Sequence, residues 1–223
     1  MLPNISMLHC AGLRLGAPEF PEPDTWETFE ALLSLCRAKG AELLLIAGNL
    51  FEQEWVSQED VERVARSLGS LPGTSVFVTP ADRDPLVQTS VYRLVEWPDN
   101  VHIFSSAIAG IECLAGKARV YGCAWAAYQQ HDWGFLREFH ITAETDRAQI
   151  MLLPVSLPES VMRDSGLHYA ALGIEDHWSG AIRRSERTFW ADCGMLTPRD
   201  SGALGSYGVV WGELAAEESR FEF

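Results

Sequence analysis

The residues best equipped for chemistry lie in the turns that follow short apolar runs. Gly12 and Arg14 come after Ile5–His9, Asn49 and Glu52 after Leu43–Ala47, and Asp82, Arg83 and Asp84 after Ser75–Thr79. Pro154 follows Ile150–Leu153, and Ile174, Glu175, Asp176 and His177 follow Tyr169–Leu172. In α/β folds the crevice beyond the carboxyl ends of the strands is where ligands bind, so these positions face one another if the runs are strands of such a fold. Three chemistries are open to them. Asp82 and Asp176, with the neutral carbonyl of Asn49, are candidates for holding a divalent cation. The guanidinium groups of Arg14 and Arg83 can fork onto a phosphate. The two sets can also neutralise each other as an internal salt-bridge network joining Arg14, Arg83, Asp82, Asp84 and Asp176.

The elements that would position these residues are legible. Leu43–Ala47, Ser75–Thr79, Val101–Phe104, Ala118–Gly122, Ile150–Val155, Tyr169–Leu172 and Val209–Leu214 have the length and bulk of buried strands. Thr25 is placed to cap a helix from Trp26 to Lys39, with Phe29, Leu32, Leu33 and Cys36 at helical spacing and Gly40 at its end. Ser57 and Asp60 read as the start of a second helix through Leu68, stopped at Gly69. Strand and helix alternate in the first half, an α/β opening, while the second half is richer in strands. No internal repeat or linker divides the sequence, and residues 1–223 read as one domain.

Charge narrows the function classes. Lys and Arg total 17 against 31 Asp and Glu, a net of −14, with an excess of seven acids within residues 1–60 alone. Phosphate backbones are gripped by clustered Lys and Arg, and only Arg183, Arg184 and Arg187 approach a cluster, so tight nucleic-acid binding is not expected. No apolar run nears the roughly 20 residues that span a bilayer. Met1–Gly16 lacks the basic start and apolar core of a leader. The five cysteines include no CxxC pair and read as reduced buried thiols of a cytoplasmic protein.

Other conspicuous side chains have plainer readings. His9 lies within the first strand and reads as a hydrogen-bonded core residue, whereas His102, His131, His140 and His168 read as surface or loop positions. His177 could reach the pocket only by a shift of register. Trp55, Trp125 and Trp178 fall near the pocket rim, where packing in the core or an interface is the plainer reading than base stacking, and Trp97, Trp190 and Trp211 lie beside or within strands and read as core. The acidic tail Glu213–Phe223 carries Phe221 and Phe223, suited to packing or to a partner.

The ordered series of motifs resembles the calcineurin-like metallophosphoesterases, nearest the DNA-repair exonuclease (Sbc-type nuclease subunit) branch. MLHCAGLRLG (Met7–Gly16), LLLIAGNLFE (Leu43–Glu52) and VFVTPADRDP (Val76–Pro85) look like the first three motifs. IMLLPVS and YAALGIEDHWSG look like the fourth and fifth, and the segment Phe189–Leu214 like the closing strands, so the resemblance spans Met7 to Leu214. It implies an α/β sandwich of two β-sheets flanked by helices.

In that family, Asp, His and Asn side chains hold two divalent metals that activate water and clamp an in-line phosphoryl displacement. Against the pattern, Gly12 and Arg14 stand where the first motif has Asp and His, and Asn49 replaces the bridging Asp. Asp82 and Arg83 replace an Asn ligand and a catalytic His, while the next Asp is kept as Asp84. Pro154, Ile174 and Asp176 replace three histidines. Gly12, Pro154 and Ile174 offer no donor atom, and Arg14 and Arg83 place fixed positive charge where a dication would sit. The resemblance therefore implies a hydrolase fold without dinuclear catalysis. The leading expectation is a degenerate homologue that binds a protein, such as a coiled-coil ATPase, or a regulatory ligand. One alternative is an active phosphoester hydrolase or exonuclease using manganese or another divalent metal at Asn49, Asp82 and Asp176. The other is a metal-free phosphate or nucleotide-binding module built on Arg14 and Arg83.

Overall fold

In a computed structural model, the described residues are all but 19–23, 129–133, 135, 137–138, 143, 145, 156, 164, 174–177, 179 and 199–203. They form two six-stranded sheets. The first has the order β12 (Arg220–Glu222), β11 (Val210–Leu214), β1 (Ile5–Cys10), β2 (Leu43–Ile46), β3 (Ser75–Val78) and β4 (Val101–Ile103). The second runs β5 (Ala109–Cys113), β6 (Ala118–Gly122), β7 (Ala148–Leu153), β8 (Tyr169–Leu172), β10 (Thr188–Asp192) and β9 (Arg183–Ser185). The central strands β1 to β4 are mutually parallel, as are β6, β7, β8 and β10. β11 and β12 extend the first sheet antiparallel, and β5 and β9 form antiparallel edges of the second.

All four residues of β2, Leu43 to Ile46, are buried because both of its faces are covered. Leu44 and Ile46 pack with Leu8, Cys10, Val76 and Val78 beneath the helices, while Leu43 and Leu45 meet Ile150, Leu152 and Ala171 of the other sheet. The helices over the first sheet are α1 (Thr25–Lys39) and α2 (Gln58–Gly69), which contribute Phe29, Leu32, Leu33 and Cys36, and Val61, Val64 and Leu68. The cap of α1 is Asp24, not Thr25: Asp24 Oδ1 accepts the Trp26 N–H at 2.8 Å. A carboxylate at that position also favours the positive helix start. Gly40 closes α1 in the left-handed conformation, φ 59°. Ser57 and Asp60 form a reciprocal capping box at the start of α2.

Among the described residues the second sheet carries less helix than the first. Its outer face, Met151, Leu153, Ala170, Leu172 and Trp190, is covered by Leu136, Val155, Leu167 and Met162. Met162 lies on the five-residue helix α3 (Glu159–Arg163), the helix on this side among the described residues. No helix among the described residues is long and apolar enough to cross a membrane. All five cysteines are buried free thiols.

A buried histidine ties the two sheets through polar contacts. His9 on the inner face of β1 has Nε2 2.9 Å from the Leu172 carbonyl and Nδ1 2.9 Å from Tyr169 Oη. The core reading of His9 therefore holds. His168 does not fit its surface reading: it is 7 % exposed, and its Nδ1 accepts the Gln149 N–H at 3.0 Å. Burial lowers its pKa to about 4. His102 is partly buried and stacks on Phe77 at 5.0 Å, and His131 lies outside the described residues.

Candidate functional site

The carboxyl ends of β1, β2, β3, β7, β8 and β10 meet at one place, and Gly12, Gly48 and Gly173 set how closely. A Cβ on Gly48 (φ 94°) would fall 2.6 Å from Ala81 Cβ and 2.8 Å from Pro154 Cβ. The turns after β2, β3 and β7 thus touch only because Gly48 has no side chain. Gly12 (φ 60°) is similarly closed over by Met195 beyond β10, whose Cγ would lie 2.6 Å from an added Cβ. The first two turns run alongside each other, with Gly12 N–H on Gly48 O (3.0 Å) and Arg14 N–H on Asn49 O (2.9 Å). Arg14 (φ 53°) and Asn49 (φ 54°) both take the left-handed conformation. That costs a non-glycine residue on the order of 1 kcal/mol and is held here by the paired turns.

Arg14 does not reach for Asp82 or Asp84. Its Nε and one terminal nitrogen lie 2.9 and 2.8 Å from Oε2 of Glu52, a carboxylate 8 % exposed in its side chain. Arg83 approaches the other oxygen of Glu52 at 3.9 Å and Asp82 Oδ2 at 3.6 Å. Asn49 joins the chain of contacts through both amide atoms: Nδ2 donates to Asp82 Oδ1 at 3.0 Å, and Oδ1 accepts the Arg83 N–H at 3.1 Å. Two guanidinium charges thus face two carboxylates, and the cluster is formally neutral. Its hub, Glu52, carried no sequence signal beyond lying three residues after Asn49, because its partners Arg14 and Arg83 come from turns far away in the chain.

Asp84 lies beneath this cluster and takes no part in its ion pairs. It is fully buried. Its Oδ1 accepts N–H groups from Ala81 (2.8 Å) and Asn49 (3.2 Å), and its Oδ2 accepts Phe51 N–H (3.0 Å) and Tyr92 O–H (2.6 Å). Burial raises its pKa to about 6 against the pull of those four donors. Asp84 is therefore a knot that binds the second and third turns, and Tyr92 is a partner that the sequence reading missed. Ile174, Glu175, Asp176 and His177 lie outside the described residues.

Around the rim, Trp125 is buried, in keeping with the packing reading, whereas Trp55 is 62 % exposed. Trp178 stacks on Phe223 at 4.4 Å and Tyr169 on Phe221 at 4.7 Å, so the tail packs against the body.

The described residues do not fit a pair of divalent metals. Gly12 and Pro154 have no donor atom, Arg14 is a cation bound to Glu52, and both amide atoms of Asn49 are engaged. Among the described residues no three His, Cys, Asp or Glu side chains are grouped to hold a metal ion.

Comparison with known proteins agrees with this architecture. No family model matches the chain. It is similar to the uncharacterized metallophosphoesterase YhaO of Bacillus subtilis (strain 168), at 26 % identity over 150 residues, covering 57 % of this chain. The chain spans 35 % of the length of that relative. The fold is that of TT1561 of Thermus thermophilus, with a TM-score of 0.58 over 100 % of this chain and 99 % of that one, at 12 % identity. The fold is an α/β sandwich of the metallophosphoesterase-like kind, and the partial match to YhaO supports the metallophosphoesterase superfamily.

Proposed function

We propose that this chain is a degenerate metallophosphoesterase-like domain that works by binding rather than by two-metal hydrolysis. The observation that carries the reading is the seat of Arg14 on Glu52, with Arg83 on the second carboxylate oxygen. In an active site of the family's kind, carboxylates gather around dications; here arginines supply the positive charge permanently, with no ion to gain or lose. Motif order argues for descent from the DNA-repair exonuclease branch. The acidity favours a protein partner with a basic surface, such as a coiled-coil ATPase, in the cytoplasm. Hydrolysis by a single metal at Asn49, Asp82 and Asp176 is the competing reading.

Purified protein in excess manganese is expected to hydrolyse neither bis(p-nitrophenyl) phosphate nor a DNA oligonucleotide above background. Turnover that disappears in Asp82→Ala would overturn the proposal in favour of the single-metal reading. Inorganic phosphate at millimolar concentration is expected to leave the melting temperature unchanged, because both guanidinium groups already have carboxylate partners. A rise in melting temperature with phosphate, lost in Arg83→Ala, would instead make this an anion-binding module.

A further inference from the structure

The basic cluster that stands out in the sequence lies away from the turns of the candidate site, on the edge of the second sheet. β9 is the terminal strand of that sheet, paired on one side with β10 through Ser185 to Thr188, Arg184 to Phe189 and Arg183 to Trp190. Among the described residues no strand pairs with its other side. Such an edge presents a row of backbone N–H and C=O groups able to pair with an added strand.

The side chains on this edge select what can be added. Arg183 and Arg184 are both exposed. Being adjacent in a strand, they point to opposite faces of the sheet. Arg184 sits over the Phe189 ring at 4.8 Å, with Nε on the Glu186 carbonyl at 2.8 Å, and it makes no ion pair among the described residues. Arg183 has no ion-pair or side-chain hydrogen-bond partner among the described residues. The third member of the sequence cluster, Arg187, is turned inward onto the Gly166 carbonyl. The edge therefore carries one guanidinium on each face of the sheet, on a chain whose net charge is −14.

We propose that β9 is a docking edge for an extended acidic segment of another protein, added as a seventh strand with carboxylates at two consecutive positions, one for Arg183 and one for Arg184. Charge chooses this occupant. A second copy pairing β9 with β9 would set arginine against arginine, and like charges directly opposite are destabilising. Two outward arginines on so acidic a chain are also too few to hold a nucleic-acid backbone. The surface is separate from the Arg14–Glu52–Arg83 cluster, so it stands or falls independently of the absence of metal chemistry.

The test uses the full chain and a fluorescein-labelled octapeptide of repeated Val-Glu-Glu-Val, followed by anisotropy and by amide shifts of residues 183–185. Saturable binding is expected, weakened about tenfold or more by Arg183→Glu with Arg184→Glu, a change of about 1.4 kcal/mol. It is also expected to be lost when alternate peptide amides are N-methylated, since methylation removes the donors a new strand needs. Circular dichroism and the melting temperature show whether the double variant is folded, and Arg183→Gln with Arg184→Gln provides a milder pair. No binding by the wild-type chain, binding indifferent to both pairs, or binding indifferent to N-methylation would overturn the proposal. So would a DNA oligonucleotide that binds the same arginines in place of the peptide.

Discussion

Asp84→Ala is expected to destabilise the domain by about 4 kcal/mol or more, a large part of the total stability of an ordinary domain. The loss comes from what the mutation leaves behind. The N–H groups of Ala81, Asn49 and Phe51 and the Tyr92 hydroxyl all donate to this one carboxylate, in a place closed to water. Each buried donor without a partner costs about 1–3 kcal/mol. Asp84→Asn should fall in between, because a carboxamide accepts at its oxygen but presents its own N–H groups to the remaining donors. Tyr92→Phe removes a single bond and should cost about 1–2 kcal/mol. Urea unfolding of the three variants gives the ranking. An Asp84→Ala protein as stable as the wild type would mean that the turns after β2 and β3 are held by something other than this knot. The effect is structural, so the Arg14–Glu52 pairing should loosen along with it, since Glu52 follows directly on Phe51.

The contrast between Asp84 and Glu52 shows which parts of the site a sequence can reveal. Asp84 sits in a motif with recognisable spacing, so its importance was readable even though its role, a buried acceptor rather than a pocket residue, was not. Glu52 ends the second motif, but nothing there marked it as the centre of the cluster. A carboxylate becomes a hub only when distant turns deliver arginines to it, and no local pattern encodes that. The same holds for Tyr92 and for His168, whose burial depends on how β7 and β8 meet.

Among the elements, β2 was plain because strands covered on both faces must be apolar throughout. The edge strands β5, β9 and β12 were not, because an edge faces water and has no core to impose a pattern on it: Ala109, Gly110 and Glu112 in β5 and Arg183 and Arg184 in β9 are exposed. The starts of α1 and α2 were found to within one residue, since capping chemistry is local, whereas the five-residue α3 was not expected. Asp24 prevailed over Thr25 because its side chain reaches the Trp26 N–H. Of the cover of the second sheet, the described residues show one short helix, α3, beside Leu136, Val155 and Leu167, a stretch too short for helical periodicity to mark.

His9→Leu is expected to produce a stability difference that reverses with pH. In the folded protein His9 is fully buried and burial lowers its pKa to about 3, opposed by the bond to Leu172. The ring is therefore neutral at ordinary pH. A carbonyl can only accept, so Nε2 carries the hydrogen toward Leu172 O, and Nδ1 must accept the hydroxyl hydrogen of Tyr169. At pH 7.5 the leucine variant leaves that hydroxyl and carbonyl unpaired and should be less stable than the wild type by about 2 kcal/mol. Below about pH 6.5 the unfolded wild-type chain takes up a proton on His9 that the folded chain refuses. Its stability then falls with pH by about 1.4 kcal/mol per unit down to about pH 3. His168, its pKa also lowered by burial, to about 4, pulls the same way. Asp84, raised to about 6, pulls the other way, because the folded form gains a proton there before the unfolded one does. Both of those contributions are common to wild type and variant and cancel in the comparison. The leucine protein lacks the His9 penalty, so the two stabilities should meet near pH 5, with the variant the more stable below that. Urea unfolding at half-unit steps from pH 7.5 to pH 4 resolves the crossing. A constant gap over that range would show that His9 titrates alike in the folded and unfolded chains, and so is not the neutral tie between the two sheets.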